Sequence, residues 1–183
     1  NESLRNISNK NEILYAENQE LKALLKLSND INYKFITTKI ISKSNASFIR
    51  SAILMSGKNK EISINSPVVY NDNLLGYISE LGSSSSRVIA LTDINVKVPA
   101  FIPNKKIKMI LSGTNSKFLE IFNHLDITLL KSGDKVFSSG DGNMYPAGLF
   151  IGVVKIKLDG KIIVEPFSYL NDLTYVQVID WKP

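Results

Sequence analysis

The first thirty residues carry a heptad pattern, which constrains this chain more than any other feature. Position a holds Leu4, Asn11, Asn18 and Leu25, and position d holds Ile7, Leu14, Leu21 and Ser28. This 3–4–3–4 spacing aligns the side chains along one narrow seam of a helix, where a partner helix can contact them. An Asn at position a favours a parallel two-stranded pairing. The pattern predicts a dimeric coiled coil over residues 1–30 through Leu4, Ile7, Asn11, Leu14, Asn18, Leu21 and Leu25; the alternative is an amphipathic helix packed on its own domain.

Composition narrows the possible functions of the rest of the chain. The 183 residues include no cysteine, which excludes disulfides, thiol chemistry and Cys-ligated zinc. The net charge of +5 fits a solvated basic face or an acidic partner, such as an anionic membrane or a polyanion. No motif of a nucleic-acid reader is present, so we expect no nucleic-acid partner. The chain begins at Asn1, inside a heptad, so we expect a fragment whose membrane anchor or signal lies upstream.

From Phe35 onward, short runs rich in Ile, Val, Phe and Tyr alternate with clusters of Gly, Asn, Ser and Asp, which is typical of antiparallel strands. The clearest hairpin turns at Asp159-Gly160. The predicted strands are Phe35–Ser42, Phe48–Met55, Pro67–Tyr70, Leu74–Leu81, Arg87–Leu91, Val96–Ile102, Ile107–Leu111, Phe118–Phe122, Lys135–Ser138, Phe150–Leu158, Lys161–Pro166 and Tyr175–Ile179.

The strand pattern of the first half recurs in the second half. The first copy ends with the strand Val96–Ile102, and the second copy ends with Tyr175–Ile179. Six strands per copy fit a small closed barrel. We therefore predict an all-β fold of two six-stranded antiparallel β-barrels in tandem, at residues 31–104 and 105–183, after the N-terminal helix. The alternative is one sandwich whose strands only look repeated.

Glycines and one proline predict turns, bulges and barrel corners at Gly76, Gly133, Gly140, Pro146, Gly148 and Gly152. No helical pattern follows any of these glycines. They therefore do not indicate a phosphate-binding loop.

Two barrels in series are also found in chymotrypsin-like proteases. The positions of histidine and serine in this sequence, however, do not fit a catalytic triad. The sole histidine is His124, and the nearest serines that could be considered as a nucleophile, Ser138 and Ser139, lie in a run with turn composition. The aspartates of the second half lack the tight alternating spacing of a calcium loop. We expect no catalytic residues, no metal site and no cofactor.

Aromatic residues in the second half are candidates for a protein-binding surface. They are Tyr145, Phe150, Phe167 and Tyr169. An apolar patch of this kind fits a partner protein. The alternative is that these side chains fill the ends of a barrel.

A longer set of motifs resembles one known family. Its members share a zipper-like run such as Glu17–Leu25, then Pro67-Val68-Val69 with Leu74–Ile78, then Val88–Asp93 and Val98-Pro99-Ala100, then Gly133–Gly140 and Tyr145–Val154. In this order, the motifs make the chain similar to the rod-shape-determining MreC family.

The resemblance implies a single-pass protein of the bacterial inner membrane, with this fragment in the periplasm. It implies a non-enzymatic dimeric scaffold that activates an elongation-specific penicillin-binding transpeptidase by contact, with RodA, MreD and MreB as further partners. Two other functions are open from the residues alone. One is a trypsin-like periplasmic hydrolase with two barrels, and the other is a periplasmic adaptor of the membrane-fusion type.

Overall fold

A computed structural model describes residues 2–24, 33–46, 49–122 and 127–181 of the chain. The described residues contain one α-helix, α1 (Glu2–Leu24), which is separate as a compact unit from the strand body that begins at Tyr33. Glu, Leu, Lys and Ala, which have high helix propensity, recur along α1. No helix in these ranges combines the length and the apolar character needed to cross a bilayer.

The strand body contains twelve described strands. They are β1 (Phe35–Ala46), β2 (Ile49–Leu54), β3 (Pro67–Tyr70), β4 (Asn73–Leu81), β5 (Ser86–Ala90), β6 (Lys97–Ile102), β7 (Ile107–Gly113), β8 (Leu119–Ile121), β9 (Lys135–Ser138), β10 (Phe150–Ile156), β11 (Ile162–Pro166) and β12 (Tyr175–Ile179). Every predicted strand overlaps one of these.

Strands β6 to β11 form a closed six-stranded antiparallel barrel, which we call the second ring. Its strands pair in the order β6-β7-β8-β11-β10-β9, and β9 returns to β6. Each pairing in this ring is antiparallel. Closure leaves no free sheet edge in the ring, which removes the usual route to edge-to-edge aggregation.

The other six strands pair in the order β4-β3-β12-β1-β2-β5, and β5 returns to β4; we call them the first ring. One short parallel pairing, Phe150 with Asn73, joins β10 of the second ring to β4 of the first ring. The rings are therefore hydrogen-bonded to each other as well as within themselves.

Alternation along each strand explains which side chains form the core. In β6, Val98, Ala100 and Ile102 are at most 2% exposed, whereas Lys97 is exposed and Phe101 half-buried. Period-2 burial of this kind places one face of the strand inside the ring and the other outside.

Strands β3 and β12 are buried on both faces where the two rings meet. Val68 and Val178 pack in the core of the first ring, and the next residues, Val69 and Ile179, pack with the core of the second ring. All four are fully buried. Because successive strand residues point to opposite faces, β3 and β12 have a core on each side.

The chain passes from the first ring to the second at Leu91–Val96, and a buried carboxylate holds this crossing in place. Asp93 is 1% exposed and accepts hydrogen bonds from the backbone of Arg50 (2.8 Å) and from the backbone (2.9 Å) and side-chain amide (3.1 Å) of Asn95. The Arg50 guanidinium also donates to the carbonyl of Asn115, in the second ring's β7–β8 loop. The crossing therefore ties β2 to the second ring.

The structure corrects the predicted strand membership of the two copies. Val96–Ile102 was expected in the first barrel and Tyr175–Ile179 in the second, but β6 pairs with β7 and β9, and β12 pairs with β1 and β3. The predicted boundary at residue 104 falls inside the Pro103–Lys105 turn of the β6–β7 hairpin. That turn is too short to separate two domains, because strands joined by so few residues pair with each other.

Candidate functional site

Four phenylalanines form a continuous row across the second ring. Phe101 on β6, Phe137 on β9 and Phe150 on β10 lie opposite one another in the strand register. Phe167, directly after β11, extends the row. Neighbouring ring centroids are 6.3, 5.2 and 5.7 Å apart and the rings are mutually tilted, which is the geometry that aromatic pairs favour. We call this row the aromatic ladder.

The ladder lies on the outer face of the ring. The residues next to its members, such as Ala100, Val136 and Ile151, point into the core and are at most 1% exposed. By alternation, the phenylalanines point outward. The first three are half-buried, and Phe167 is 67% exposed. A continuous row of partly exposed aromatic side chains differs from the singly scattered apolar residues usual on a monomer, and it fits a protein-binding surface.

Charged side chains border the ladder. Lys108 lies opposite Phe101 on β7 and forms an ion pair with Asp141 at 3.1 Å. The hydrogen bond from Lys108 lowers the pKa of the Asp141 carboxyl, and the Ser139 hydroxyl adds to this effect. On the other side, Lys155 and Glu165 are 3.7 Å apart. These pairs are exposed and add little stability, but they give the apolar row the polar rim that is common in protein interfaces.

The β9–β10 loop holds two members of the ladder side by side. Ser138 ends β9 and is fully buried; its hydroxyl donates to the carbonyl of Pro146 at 2.6 Å and accepts from the backbone of Leu149 at 2.9 Å. Gly140 and Gly148, with φ of 79° and 89°, bound the loop. The Ser138 side chain thus fastens the loop that brings Phe150 back against Phe137.

Two other predicted glycines mark close approaches between strands. A Cβ at Gly76 would lie 1.9 Å from the carbonyl oxygen of Ile89, and one at Gly152 would lie 2.0 Å from that of Glu165. These positions are equivalent in β4 and β10, because each glycine is the first residue of its strand that pairs with the next strand along the chain. Gly133 has a φ of 94° in the turn before β9.

The structure separates the four predicted surface aromatics. Phe150 and Phe167 belong to the ladder, whereas Tyr169 is half-buried, with its hydroxyl donating to the carbonyl of Lys117 at 2.9 Å. Tyr145 is only 2% exposed and packs in the core, so its prediction as a surface residue is wrong. Its loop turns inward between the Asp141–Asn143 turn and Pro146 and places the ring beneath the surface.

Phe101 and Phe137 were not among the predicted surface residues. In both strands the phenylalanine is flanked by small or aliphatic residues that alternate with it, as in Val98-Pro99-Ala100-Phe101-Ile102. This alternation was the available signal for an outward aromatic side chain.

The predicted dimer seam lies on α1. Ile7, Asn11 and Leu14 are exposed in the single chain, with Ile7 at 57% and Leu14 at 52%. Leu4, Asn18 and Leu21 lie on the same helix. Leu25 falls outside the described residues.

The candidates for catalysis and metal binding are placed as follows. His124 lies outside the described residues, and Ser138 is engaged in the loop contacts above. In the part of the chain that the structure describes, no cluster of three or more His, Asp or Glu side chains could hold a metal ion.

Closed rings of antiparallel strands, a separate N-terminal helix and an aromatic row on the outer face of one ring define a β-barrel protein. Residues 40–180 match the family model of the rod shape-determining protein MreC, barrel core. The chain belongs to the MreC family of cell shape-determining proteins.

Known proteins agree with this assignment. The cell shape-determining protein MreC of Caulobacter vibrioides is 28% identical over 169 residues, which cover 92% of this chain and 49% of that protein. The solved structure of MreC from Listeria monocytogenes is 26% identical, with a TM-score of 0.79 over 100% of this chain and 92% of that chain. This chain spans about half the length of the curated relatives it matches.

A more distant structure contains a partner. The MreC of Helicobacter pylori was solved in a complex with the penicillin-binding protein PBP2. It is 19% identical to this chain, with a TM-score of 0.59 over 83% of this chain and 100% of that chain, a likeness of fold alone.

Proposed function

We propose that this chain is the periplasmic part of a dimeric, non-enzymatic scaffold of the bacterial wall-elongation machinery. It binds and activates a penicillin-binding transpeptidase, and so maintains rod shape. The observation that carries the proposal is the aromatic ladder, a row of four phenylalanines with a charged rim on the outer face of the second ring. Membership of the cell shape-determining MreC family supports it.

The ladder is the proposed docking surface for the transpeptidase. Binding energy at protein interfaces is concentrated in a few large side chains, with aromatic rings prominent among them. Phe167 is the member with the most area left to bury. The complex of the Helicobacter pylori MreC with PBP2 supports a partner of this class.

The helix provides the proposed dimer contact, a parallel coiled coil over residues 1–30. The exposed Ile7 and Leu14 on α1 support this contact, because both side chains lose their water contact when a second helix covers the seam. A membrane span upstream of Asn1 would anchor the pair in the inner membrane. Each chain would then present both rings of its strand body.

Further partners follow from the proposed role. MreB, MreD and RodA would meet the scaffold through the membrane and its cytoplasmic side, outside this chain. Activation would be allosteric: contact with the ladder favours an active conformation of the transpeptidase, with no bond made or broken by the scaffold.

Measuring the affinity of the chain for the periplasmic part of the penicillin-binding transpeptidase of the same organism tests the proposal. We expect Phe167→Ala to weaken binding by about 30-fold, the effect of losing an interface side chain worth about 2 kcal/mol. The matched control is Phe122→Ala, because Phe122 lies on the same ring with a similar exposure of 61% but outside the ladder. The control should bind like the unchanged protein. Equal affinities for all three proteins would refute the ladder as the docking surface.

A further inference from the structure

A depression of about 270 Å³ lies at the Phe167 end of the aromatic ladder. Its lining residues come from β10, from the end of β11 and from the segment that follows β11; they are Gly152, Val153, Glu165, Pro166, Phe167 and Tyr169. The volume is just below the range of about 300–1,000 Å³ that is usual for sites of whole small molecules. The depression therefore has the size for one long side chain of a partner protein.

Glu165 is the one charged residue in this lining. Its side chain points outward, because the preceding residue, Val164, is fully buried in the core of the second ring and successive strand residues alternate. The Glu165 side chain is 51% exposed, so a partner can reach it. Burial raises the pKa of Tyr169, and the negative charges of Glu165 and Asp172 raise it further, so both carboxylates act on this wall of the depression.

The Glu165 carboxylate is open to hydrogen bonds from a partner. The second ring has five described carboxylates, and four of them accept a hydrogen bond of 3.1 Å or less: Glu120 from Lys161, Asp134 from Lys105, Asp141 from Lys108 and Asp159 from the backbone of Lys161. Glu165 accepts none from the described residues, and the nitrogen of Lys155 is 3.7 Å from it, beyond hydrogen-bond distance. Both oxygens of Glu165 can therefore accept bonds from a donor that enters the depression.

Two aromatic rings stand beside this carboxylate, and each is held in place. The backbone N–H of Phe167 donates to the carbonyl of Ile151 at 3.1 Å, which fastens this segment to β10. The hydroxyl of Tyr169 donates to the carbonyl of Lys117 at 2.9 Å. Because these walls are positioned before a partner arrives, binding loses less conformational entropy.

From these features we propose that the depression receives an arginine side chain of the transpeptidase. The guanidinium donates two parallel hydrogen bonds to the Glu165 carboxylate, and its flat face stacks on the ring of Phe167 or Tyr169. Other side chains fit less well. A lysine ammonium is more strongly hydrated and cannot form the paired bonds. An acidic side chain is repelled by Glu165, and an apolar one would cover this carboxylate without pairing it.

The inference rests on the proposed docking of the transpeptidase at the aromatic ladder, and it is tested by affinity measurements with the periplasmic part of that enzyme. We expect Glu165→Gln to bind about tenfold more weakly than the unchanged protein, because the paired bonds to a charged acceptor are lost. Glu120→Gln is the matched control. It makes the same change of charge on the same ring, at a side chain that is 40% exposed and bonded to Lys161, and should alter the affinity by less than about twofold.

A double-mutant cycle identifies the chemistry of the partner side chain. Each arginine and each lysine of the periplasmic part of the transpeptidase is changed to alanine and measured against the unchanged protein and against Glu165→Gln. We expect one arginine whose loss weakens binding to the unchanged protein about tenfold and binding to Glu165→Gln less than about threefold. Lysine at that position should not restore the affinity, because it lacks the planar fork of donors.

The inference is overturned if Glu165→Gln binds like Glu120→Gln, if the coupled residue is a lysine, or if no basic residue of the transpeptidase couples to Glu165. These results leave the proposed function intact as long as the unchanged protein binds and Phe167→Ala weakens the complex. An unchanged protein that does not bind the transpeptidase would contradict the proposed function, and this inference with it.

Discussion

Replacing Asp93 tests how the two rings are held together. The Asp93→Asn variant keeps the size of the side chain but exchanges one carboxylate oxygen for an amide that donates hydrogen bonds. Three donors now point at the carboxylate, two from the backbone of Arg50 and Asn95 and one from the Asn95 side chain. In Asp93→Asn, at least one of these three donors must then point at the new side-chain NH2 group, which cannot accept a hydrogen bond.

The loss in the free energy of unfolding depends on how deeply each donor residue is buried. Hydrogen bonds to a charged acceptor are each worth about 1.5–3 kcal/mol. Asn95 is exposed, so water can replace its lost bond, but Arg50 is half-buried and Asp93 is 1% exposed. We therefore expect a loss of about 2–3 kcal/mol in the free energy of unfolding, mostly from the Arg50 contact. In a body of this size that lowers Tm by about 4–12 °C.

Urea and thermal unfolding, followed by circular dichroism, measure this change. Asp159→Asn is the matched control, because Asp159 is exposed in a turn and accepts one bond, from the backbone of Lys161 at 3.0 Å; we expect less than about 0.5 kcal/mol there. The strand body should still unfold in one transition, because Val69 and Ile179 keep the buried contact between the rings. An Asp93→Asn protein as stable as the control would refute this account of the crossing.

Two further predictions concern pH and assembly. Asp134 forms an ion pair of 2.5 Å with Lys105; burial alone would raise its pKa, but the bonds from Lys105 and the Lys131 backbone lower it below the ordinary 3.8. A carboxyl whose pKa is lower in the folded protein than in the unfolded chain stabilises the fold at pH values above the unfolded pKa, and this stabilisation is lost as pH falls below about 4. Between pH 5 and pH 2.5, the free energy of unfolding in urea should therefore fall less for Asp134→Asn than for the unchanged protein. For assembly, Leu14→Lys should convert a dimer to a monomer in size-exclusion chromatography with light scattering, whereas Asn9→Lys, on the opposite face of the heptad, should not; a monomeric unchanged protein would contradict the coiled coil.

The twelve strands were predictable because their signals are local. Hydrophobic alternation and turn residues lie within each strand and its flanks, as at Asp159-Gly160 between β10 and β11. The glycines at positions 76 and 152 were also predicted as turn or bulge positions from residue type alone. The structure gives the physical reason: at each position another backbone comes within contact distance.

Ring membership was not predictable from such signals. Strand β12 pairs with β3 and with β1, the strand at the opposite end of the sequence of the strand body, and nothing in Tyr175–Ile179 specifies these pairings. The sequence repeat suggested that each copy closes on itself, but the short Pro103–Lys105 turn commits β6 to β7. A short connection decides pairing more strongly than similarity between copies.

The candidate site was partly predictable. Phe150 and Phe167 were identified by residue type, but Tyr145 was placed at the surface because a loop has no periodicity that tells inside from outside. Phe101 and Phe137 become neighbours only when β6 and β9 pair, and these two residues are 36 positions apart in the sequence.

The strand order has a consequence for how the ladder is built. All strands of the second ring are contiguous in the chain, from Lys97 to Pro166, whereas the first ring needs β12 to enter between β1 and β3. Long-range pairings close late, because their loop entropy must be offset before they gain contacts. The second ring can therefore close before the first. We then expect the ladder to form before β12 is bound, and Ile179 of β12 to pack onto a core that has already formed. The aromatic ladder, the surface proposed for the partner, therefore lies on the second ring, which closes without any strand from the first ring.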